Sequence, residues 1–415
     1  MVDYNTHLHL DNHIINSCSG LLPWTLFKGY YLSLFSNQKF RGIFFQLITT
    51  IGLVAFLWYI TTNMFTNIEQ RGITTGFDFF DQVAGFGIAE SVIAYNDTDS
   101  TYLDAFFVGL INTLFVSFVG IFFASIIGLI VGVARLSHNF IISKLALGYI
   151  ELFRNIPILL QILFWYNVVL AALPKPKQSI ELAQDFFLNN RGLYVPKPIY
   201  ESGFIFVIIA FLAACVGVYL LKKWTNKRFD ETGKEFPLFS VSLALLIVVP
   251  VLAYFISGSP VNFDNPELKG FNFKGGMVYS PEFLALTFAL SIYTATYIAE
   301  AVRSGIEAVP KGQKEAAASL GLTPYQSLKI VILPQAIRIA IPPIINQYLN
   351  LTKNSSLATA IGYPELVTVF AGTVVNQTGQ AIEIVLVTMM VYLTISLTIS
   401  LILNIVNKKM QIKER

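Results

Sequence analysis

Eight long apolar runs, separated by polar segments, dominate the chain. A helix needs roughly 20 apolar residues to cross the hydrocarbon core of a bilayer. The runs lack the ten-residue alternation that is typical of membrane β-barrels, so each is predicted to be a helix. The predicted spans are Ile43–Ile60, Ala105–Ala134, Lys144–Leu173, Gly203–Leu221, Leu238–Ser257, Phe283–Ala301, Gln335–Leu351 and Ala381–Val406.

The seventh run is interrupted by polar residues and by two consecutive prolines, Pro342 and Pro343. Proline removes a backbone donor and its ring clashes with the preceding turn, so we expect the helix to break there. Another semi-apolar stretch, Leu357–Val375, follows it. Broken helices occur at membrane depth where they line a cavity, which makes this region a candidate pathway.

The composition agrees with an all-α membrane protein. Apolar residues make up 54% of the 415 residues and charged residues 13%, against about 25% charged residues in soluble proteins. The net charge of +3 is too small to suggest a nucleic-acid partner. Cys18 and Cys215, which lie in a polar tail and an apolar run, are predicted to be unpaired thiols.

The distribution of lysine and arginine predicts the orientation in the membrane. Eight spans place both termini on one side, and that side holds 19 of the 28 basic residues. The opposite side holds eight, and Arg154 lies inside a span. Because cytoplasmic loops are enriched in lysine and arginine, both termini are predicted to be cytoplasmic.

A polar segment between the sixth and seventh spans predicts two short helices with a break between them. It contains the letters KEAAASLGLTPYQ and, further on, VILP. Glutamate and alanine favour a helix, and Gly321 suits the left-handed position just past its end. Thr323 and Gln326 form a capping box around Pro324, and Pro334 is expected to stop or kink the second helix.

This segment resembles the EAA loop of ABC importer permeases: Glu-Ala-Ala, three residues, Gly, nine residues and Ile-x-Leu-Pro. The one departure is Val331 in place of the isoleucine. In that family the loop docks on the ATP-hydrolysing subunit; an ordinary amphipathic connector is the alternative. The residues to which the resemblance assigns ATPase coupling are Glu315, Ala316, Ala317, Gly321, Leu333 and Pro334.

Three further segments resemble those of the polar-amino-acid permeases within this family. They are residues 151–161 (ELFRNIPILLQ), 297–306 (YIAEAVRSGI) and 351–357 (LTKNSSL). Together with Ala105–Arg135 and the last span, they cover a five-helix permease core. The extra first span and the two-span insertion Pro174–Ser280 resemble the Q-type permeases of general L-amino-acid transporters.

The resemblance implies a division of the chain into tails, an extra span, a loop and a permease domain. In order, these are a cytoplasmic tail (1–42), the extra span (43–60), a periplasmic loop (61–103), the transmembrane permease domain (104–407, with insertion 174–280 and coupling hairpin 308–334) and a cytoplasmic tail (408–415).

Two pairs of opposite charge lie near the predicted cytoplasmic ends of spans. Glu151 and Arg154 are three residues apart, as are Glu300 and Arg303, so each pair can form on one helix face. Ionisable residues within spans are costly and are functional hypotheses by default. Either these groups snorkel and pair locally, or they form an inner gate or a brace between core helices and the hairpin.

Polar side chains follow the two prolines and are too hydrophilic to face lipid. Their amides could hydrogen-bond the carboxylate and ammonium of an amino acid; hydrogen bonding between helices is the alternative. The candidates for the substrate pathway are Asn346, Gln347, Asn350, Lys353, Asn354, Ser355 and Ser356.

The chain has no Gly-x-x-x-x-Gly-Lys-Ser/Thr loop to bind phosphates. It is therefore predicted to be no enzyme, and ATP hydrolysis is assigned to a partner chain. No cofactor and no metal site are predicted. His7, His9 and His13 have metal-like spacing but lie in the N-terminal tail.

The resemblance implies the permease subunit of an ATP-driven importer of L-amino acids in the bacterial inner membrane. Its partners would be a second permease subunit in a heterodimer, two ATP-binding subunits and a periplasmic amino-acid-binding protein. One alternative is an ion-coupled secondary carrier, for which no inverted repeat is visible. The other is a scaffold or redox subunit, for which no histidine lies within a predicted span.

Overall fold

The structure, a computed structural model, describes residues 38–70, 72, 75–233 and 236–410. The chain divides into two units, residues 1–74 and 75–415, which are described separately. In the first unit, helix α1 (Gln38–Gln70) includes the predicted span Ile43–Ile60 and is apolar enough to cross a membrane. Cys18 and the three histidines of the tail lie outside the described residues.

The second unit contains the remaining helices, several of which are joined by 3-10 or π turns. They are α2 (Tyr102–Arg135), α3 (Phe140–Asn155), α4 (Ile158–Phe164), α5 (Phe204–Thr232), α6 (Leu238–Ile256), α7 (Pro281–Glu307), α8 (Lys311–Ser319), α9 (Pro324–Gln326), α10 (Leu333–Asn354), α11 (Val375–Thr378) and α12 (Ala381–Met410).

The predicted fold class, an all-α membrane protein with about eight spans, is confirmed. Within the described residues, seven helical segments are long and apolar enough to cross a membrane. An eighth, broken span is formed by α3 together with α4 and the π turn Trp165–Leu170 that continues it. Two of the seven, α5 and α6, belong to the predicted insertion and pack against each other.

The prediction of one continuous helix over Lys144–Leu173 is wrong, because the chain bends by 100° between α3 and α4. The bend lies at Ile156, which is extended, and at Pro157. A residue that precedes proline is pushed out of the helical region by the ring. The Gln161 amide then donates to the carbonyl oxygens of Phe153 at 2.8 Å and Ile156 at 2.9 Å, which satisfies acceptors that the break leaves free.

The prediction of a break at Pro342 and Pro343 is also wrong, because both lie inside the continuous helix α10. Membrane helices tolerate proline where neighbouring groups and local adjustments satisfy the freed carbonyls. Close packing supports α10 one turn earlier. A Cβ on Gly305 of α7 would lie 2.8 Å from the Ala336 carbonyl oxygen and 2.9 Å from the Ala340 Cβ, so only glycine fits there.

The core of the second unit is the contact between α2 and α7. Gly128 and Gly132 of α2 face α7, and a Cβ on Gly128 would lie 2.6 Å from the Ile298 side chain. Small residues at helix interfaces let membrane helices approach closely and gain van der Waals contact. Most of α7 is buried between α2 and α10, so this helix is the central one of the predicted five-helix core.

The insertion also contains short strands, which the apolar pattern does not predict. Four of them form an antiparallel sheet in the order β1-β2-β3-β8, and the others form the pairs β4–β5 and β6–β7. The strands are β1 (Ile180–Ala183), β2 (Phe186–Asn189), β3 (Gly192–Val195), β4 (Lys197–Tyr200), β5 (Val261–Asp264), β6 (Glu267–Lys269), β7 (Asn272–Lys274) and β8 (Met277–Tyr279). Since β8 leads directly into α7, this strand region lies at the end of α7 that is opposite the hairpin.

Candidate functional site

The first half of the predicted coupling hairpin is helix α8, and it ends in a left-handed glycine. Gly321 has a φ of +74°. The Leu322 N–H donates to the Ala317 carbonyl at 3.1 Å, and the Gly321 N–H donates to the Ala318 carbonyl at 2.9 Å. This pair of bonds is the Schellman motif that closes many helices. The predicted role of Gly321 in the turn is confirmed.

The second half of the hairpin starts with the predicted capping box, which is also confirmed. The Thr323 hydroxyl accepts from the Gln326 N–H at 3.3 Å, and the Gln326 side chain accepts from the Thr323 N–H at 2.9 Å. Pro324 occupies the first turn. Pro334 was expected to stop or kink this helix, and it does not stop it. A π turn, Ser327–Ile332, continues the helix into α10, so Pro334 lies within a continuous helical segment.

The base of the hairpin is fixed by a small apolar cluster. Val309, Ile332 and Ala336 are buried together, and Ile306 of α7 packs against them. Ala317 is buried as well, whereas the side chains at the tip are exposed to solvent. Leu320 is 81% exposed and Tyr325 71% exposed. The hairpin is therefore a rigid projection with an apolar tip, attached to both α7 and α10.

The coupling residues taken from the motif divide between these two surfaces. Glu315, Ala316 and Gly321 are exposed, Ala317 faces inwards, and Leu333 is half-buried. The described residues offer no hydrogen-bond or ion-pair partner to the Glu315 carboxylate. The exposed members are thus available to another chain.

Of the two predicted charge pairs, only one is present. The Arg303 Nε donates to Glu300 at 3.1 Å, and the same guanidinium also contacts Glu307. Glu151 and Arg154 do not pair. Asn155 donates to the Glu151 carboxylate at 3.2 Å instead.

Arg154 points to a neighbouring helix instead of along its own. Its guanidinium lies 5.2 Å from the ring centroid of Tyr297 on α7. The Tyr149 hydroxyl donates to the Ile292 carbonyl at 2.8 Å, so α3 has a second polar contact with α7. The ring attracts the guanidinium by a cation–π contact, and no carboxylate of the described residues lies within ion-pair distance of Arg154.

The candidate pathway residues also divide into two groups. Asn346, Asn350 and Lys353 are exposed and, with spacings of four and three, share one face of α10. Ser355 is fully buried, and its hydroxyl donates to the Thr352 carbonyl at 2.7 Å. Gln347 and Asn354 are half-buried. The sequence prediction therefore grouped one structural serine with a polar, exposed stripe, which we call the α10 stripe (Asn346, Asn350 and Lys353).

A cavity of about 440 Å³ adjoins the α10 stripe at Lys353. Ser356, Thr388, Tyr392 and Ser396 contribute hydroxyl groups to its lining. No carboxylate of the described residues lies within ion-pair distance of Lys353. The ammonium is therefore available to a carboxylate, whereas the Ser356, Thr388 and Tyr392 hydroxyl groups already donate to other atoms of the chain.

Glu365, which is not among the predicted site residues, lies behind this cavity and is 0% exposed. Its carboxylate accepts from the backbone N–H groups of Val367 at 2.9 Å and Thr368 at 2.8 Å, and from the Tyr392 hydroxyl at 2.9 Å. The available signal was a single acid inside the semi-apolar stretch Leu357–Val375. Since Tyr392 lines the cavity, Glu365 holds one of its polar groups in position.

Comparison with known proteins identifies the family. A family model described as "Binding-protein-dependent transport system inner membrane component" matches residues 207–412. The chain is 50% identical to YhdX, an amino-acid ABC transporter permease protein of Escherichia coli (strain K12), over 92% of this chain and 97% of the relative.

Two further relatives cover the chain at similar length. The general L-amino acid transport system permease protein AapQ of Rhizobium johnstonii is 48% identical over 91% of this chain and 94% of the relative. The glutamate/glutamine/aspartate/asparagine transport system permease protein BztB of Rhodobacter capsulatus is 37% identical over 93% of this chain and 98% of the relative. Together with the eight spans described above, these matches show that the chain belongs to the family of amino-acid ABC transporter permeases.

Proposed function

We propose that this chain is one of two permease subunits of an ATP-driven importer of L-amino acids, and that it couples to its ATPase through the hairpin 308–334. The observation that carries the proposal is the rigid hairpin with its exposed apolar tip. The Schellman motif, the capping box and the cluster at Val309 and Ile332 fix its shape. A rigid projection transmits displacement, whereas a loose connector would absorb it.

The hairpin leads directly into the two helices that would move. Its base continues from α7 on one side and into α10 on the other. The ion pairs of Arg303 with Glu300 and Glu307 stiffen the last turns of α7. We assign the brace role to this cluster, which lies within α7, and to the contact of Arg154 with Tyr297, which joins α3 to α7.

The α10 stripe supports a second permease subunit. Charged and amide side chains are costly against lipid, so they face protein or a water-filled path. Within the described part of this chain nothing covers Asn346, Asn350 and Lys353. A second, homologous permease would complete a pathway along the stripe, with Lys353 as the contact for the substrate carboxylate. The similarity to AapQ, a general L-amino acid transport system permease protein, and to BztB, a glutamate/glutamine/aspartate/asparagine transport system permease protein, supports this substrate class.

The proposed orientation places the hairpin and both termini in the cytoplasm of a bacterium, and the chain in the inner membrane. It follows from the excess of lysine and arginine on the hairpin side. A periplasmic binding protein would then deliver the amino acid at the opposite end of α7. The permease domain 104–407 and the insertion 174–280 keep the bounds given by the sequence.

Reconstitution tests this function. The purified chain is placed in liposomes alone and together with a second permease, an ATPase and a binding protein. Accumulation of a radiolabelled amino acid is expected only for the full set with ATP, and an ATPase without its phosphate-loop lysine is the control. Uptake by the chain alone, driven by an ion gradient, would establish the secondary carrier instead.

A further inference from the structure

Three basic side chains converge on one cavity in the insertion. Lys175, Lys177 and Arg191 line a space of about 690 Å³, together with Pro174 and Phe271. No acidic residue lines it, and within the described residues no carboxylate lies at ion-pair distance from the three cations. Three of the eight basic residues that the sequence assigns to this side of the membrane thus meet at one place. An anion in this cavity would therefore lie near three positive charges and no negative one.

The cavity lies beside the end of a membrane span. The helix formed by α4 and its π turn ends at Leu170, and the Leu173 N–H donates to the Leu170 carbonyl at 3.2 Å. Lys175 follows five residues after the span, at most about 17 Å along an extended chain. Such a position is close to the layer in which a bilayer presents its phosphates.

Backbone contacts hold the cations together before any ligand binds. The Asn190 N–H donates to the Pro174 carbonyl at 3.0 Å, which ties the turn that carries Arg191 to the segment that carries the lysines. Pro174 and Pro176 stiffen that segment. Gly192 fixes the turn from its other side, because a Cβ there would lie only 2.2 Å from the Tyr279 carbonyl oxygen. A site that is already assembled loses little conformational entropy when it binds.

The rest of the lining suits an amphipathic ligand. Phe271, at the tip of the β6–β7 hairpin, is 79% exposed, and the Lys177 ammonium lies 4.6 Å from its ring centroid. Aromatic and lysine side chains together are typical of the membrane interface, where one end meets acyl chains and the other meets headgroups. Arg191 adds a planar guanidinium, the group that best matches phosphate geometry.

We propose that this cavity binds the phosphate of an anionic phospholipid headgroup. Lys175, Lys177 and Arg191 contact the phosphate, and Phe271 lies against the adjoining glycerol and acyl region. The bound lipid holds the strand region of the insertion against the membrane surface next to the start of α7. The chemistry is independent of the transport proposal; only the assignment to the extracytoplasmic leaflet depends on the proposed orientation.

Native mass spectrometry of the purified full chain in detergent tests the site. Phosphatidylglycerol is the anionic probe, and phosphatidylcholine is the zwitterionic one. The variant Lys175→Gln/Lys177→Gln/Arg191→Gln removes the three charges, and the matched control Lys197→Gln/Lys269→Gln/Lys274→Gln removes three charges of the same strand region outside the cavity. Because each basic residue near a membrane surface contributes about fivefold to anionic lipid binding, the triple variant should bind phosphatidylglycerol on the order of 100-fold more weakly. The control should bind it like wild type.

Several outcomes would overturn the proposal. Equal retention of phosphatidylglycerol by the triple variant and wild type would show that the cavity is not the site. Equal retention of both lipids by wild type would show that charge is not recognised. Displacement of the lipid by inorganic phosphate at an equal concentration would identify a free-anion site instead of a headgroup site. The three side chains are exposed, and an unchanged thermal unfolding midpoint confirms that the variant is folded.

Discussion

At the scale of single residues, Gly321 offers the sharpest test of coupling. It has a positive φ, yet nothing lies within 4 Å of the place where a Cβ would stand. The free-energy cost of a valine there therefore comes only from its left-handed backbone conformation, and amounts to about 1–2 kcal/mol. We predict that Gly321→Val re-aims the second half of the hairpin, leaves membrane insertion intact and abolishes uptake. The cause would be weaker association of the ATPase or uncoupled hydrolysis.

Gly312 provides the matched control for that variant. It lies in α8 on the same hairpin, in equally open surroundings and without a positive φ, so Gly312→Val should retain uptake. Glu315→Ala should act like Gly321→Val but less severely, because it removes a polar contact and leaves the backbone unchanged. Uptake, ATPase co-purification and stimulated hydrolysis are compared at equal membrane abundance. Normal uptake by Gly321→Val would contradict the coupling role.

Glu90 should make the stability of the chain depend on pH. Glu90 lies in the segment before α2, and its carboxylate accepts from the N–H of Ser280, the residue before α7, at 3.2 Å. Burial raises the pKa of its carboxyl, and the charge of Glu282 acts in the same direction, against the hydrogen bonds from Ser280. The folded chain thus binds this proton more tightly than the unfolded chain, so stability falls as pH rises from the ordinary glutamate pKa of about 4.3 through the folded value.

The variant Glu90→Gln keeps an oxygen for the Ser280 N–H but does not ionise. We predict a higher thermal unfolding midpoint than wild type at pH 7 to 8, and a difference that shrinks towards about pH 4. Differential scanning fluorimetry in detergent across this range measures it. The exposed substitution Glu181→Gln serves as control. A Glu90→Gln unfolding midpoint that stays below that of wild type at neutral pH would contradict the prediction that ionisation of Glu90 destabilises the chain.

Residues whose role depends on their nearest chain neighbours were predictable. Gly321, Thr323 and Gln326 act within a few positions of each other, so their pattern alone indicated the turn and the cap. The partner of Arg154 was not predictable, because Tyr297 reaches it from another helix. For the same reason the sequence grouped Ser355 with the α10 stripe, although packing turns that serine inwards.

At the scale of helices, the contact between α2 and α7 depends on glycines that leave no room for a side chain. We predict that Gly128→Ala destabilises the purified chain by about 1–3 kcal/mol, because its methyl group would overlap Ile298. The same change at Gly148 of α3, where nothing lies within 4 Å, should be neutral or stabilising by up to about 1 kcal/mol. Thermal unfolding midpoints of the two variants give the comparison. A Gly128→Ala midpoint equal to that of Gly148→Ala would show that the contact is loose.

The existence of the helices was predictable from the apolar runs, but their continuity was not. A run of apolar residues looks the same whether it is straight or bent, so the 100° bend at Pro157 was missed. Pro342 and Pro343 produced the opposite error, since α10 continues through them and packs against α7 one turn earlier. The strands of the insertion, at three or four residues each, are too short to show a period.

At the scale of the whole molecule, the orientation is the property on which the other assignments depend. With Cys18 and Cys215 replaced by serine, we predict that Lys269→Cys on β6 is labelled by a membrane-impermeant maleimide in spheroplasts. Lys314→Cys on the hairpin should be labelled only after permeabilisation, because the hairpin side carries the basic excess. Both native side chains are exposed, so accessibility of the thiol is matched. The reverse pattern would invert the topology.

The α10 stripe should face water in the assembled transporter, and this is the most direct test of a shared pathway. Asn350 and Val248 are both exposed in the single chain, and both lie within helical segments that are long and apolar enough to cross a membrane. A maleimide reacts with the thiolate, which forms only where water reaches. In the same cysteine-free background, we predict that Asn350→Cys in α10 reacts with a water-soluble maleimide in the complete complex and that Val248→Cys in α6 does not. An amino-acid substrate should slow the reaction at position 350, since it would occupy the same path. Absence of reaction at position 350 would place the stripe against lipid or protein and leave the proposed pathway without its polar wall. Reaction at 350 that no amino acid slows would show a water-filled space that is not the substrate path.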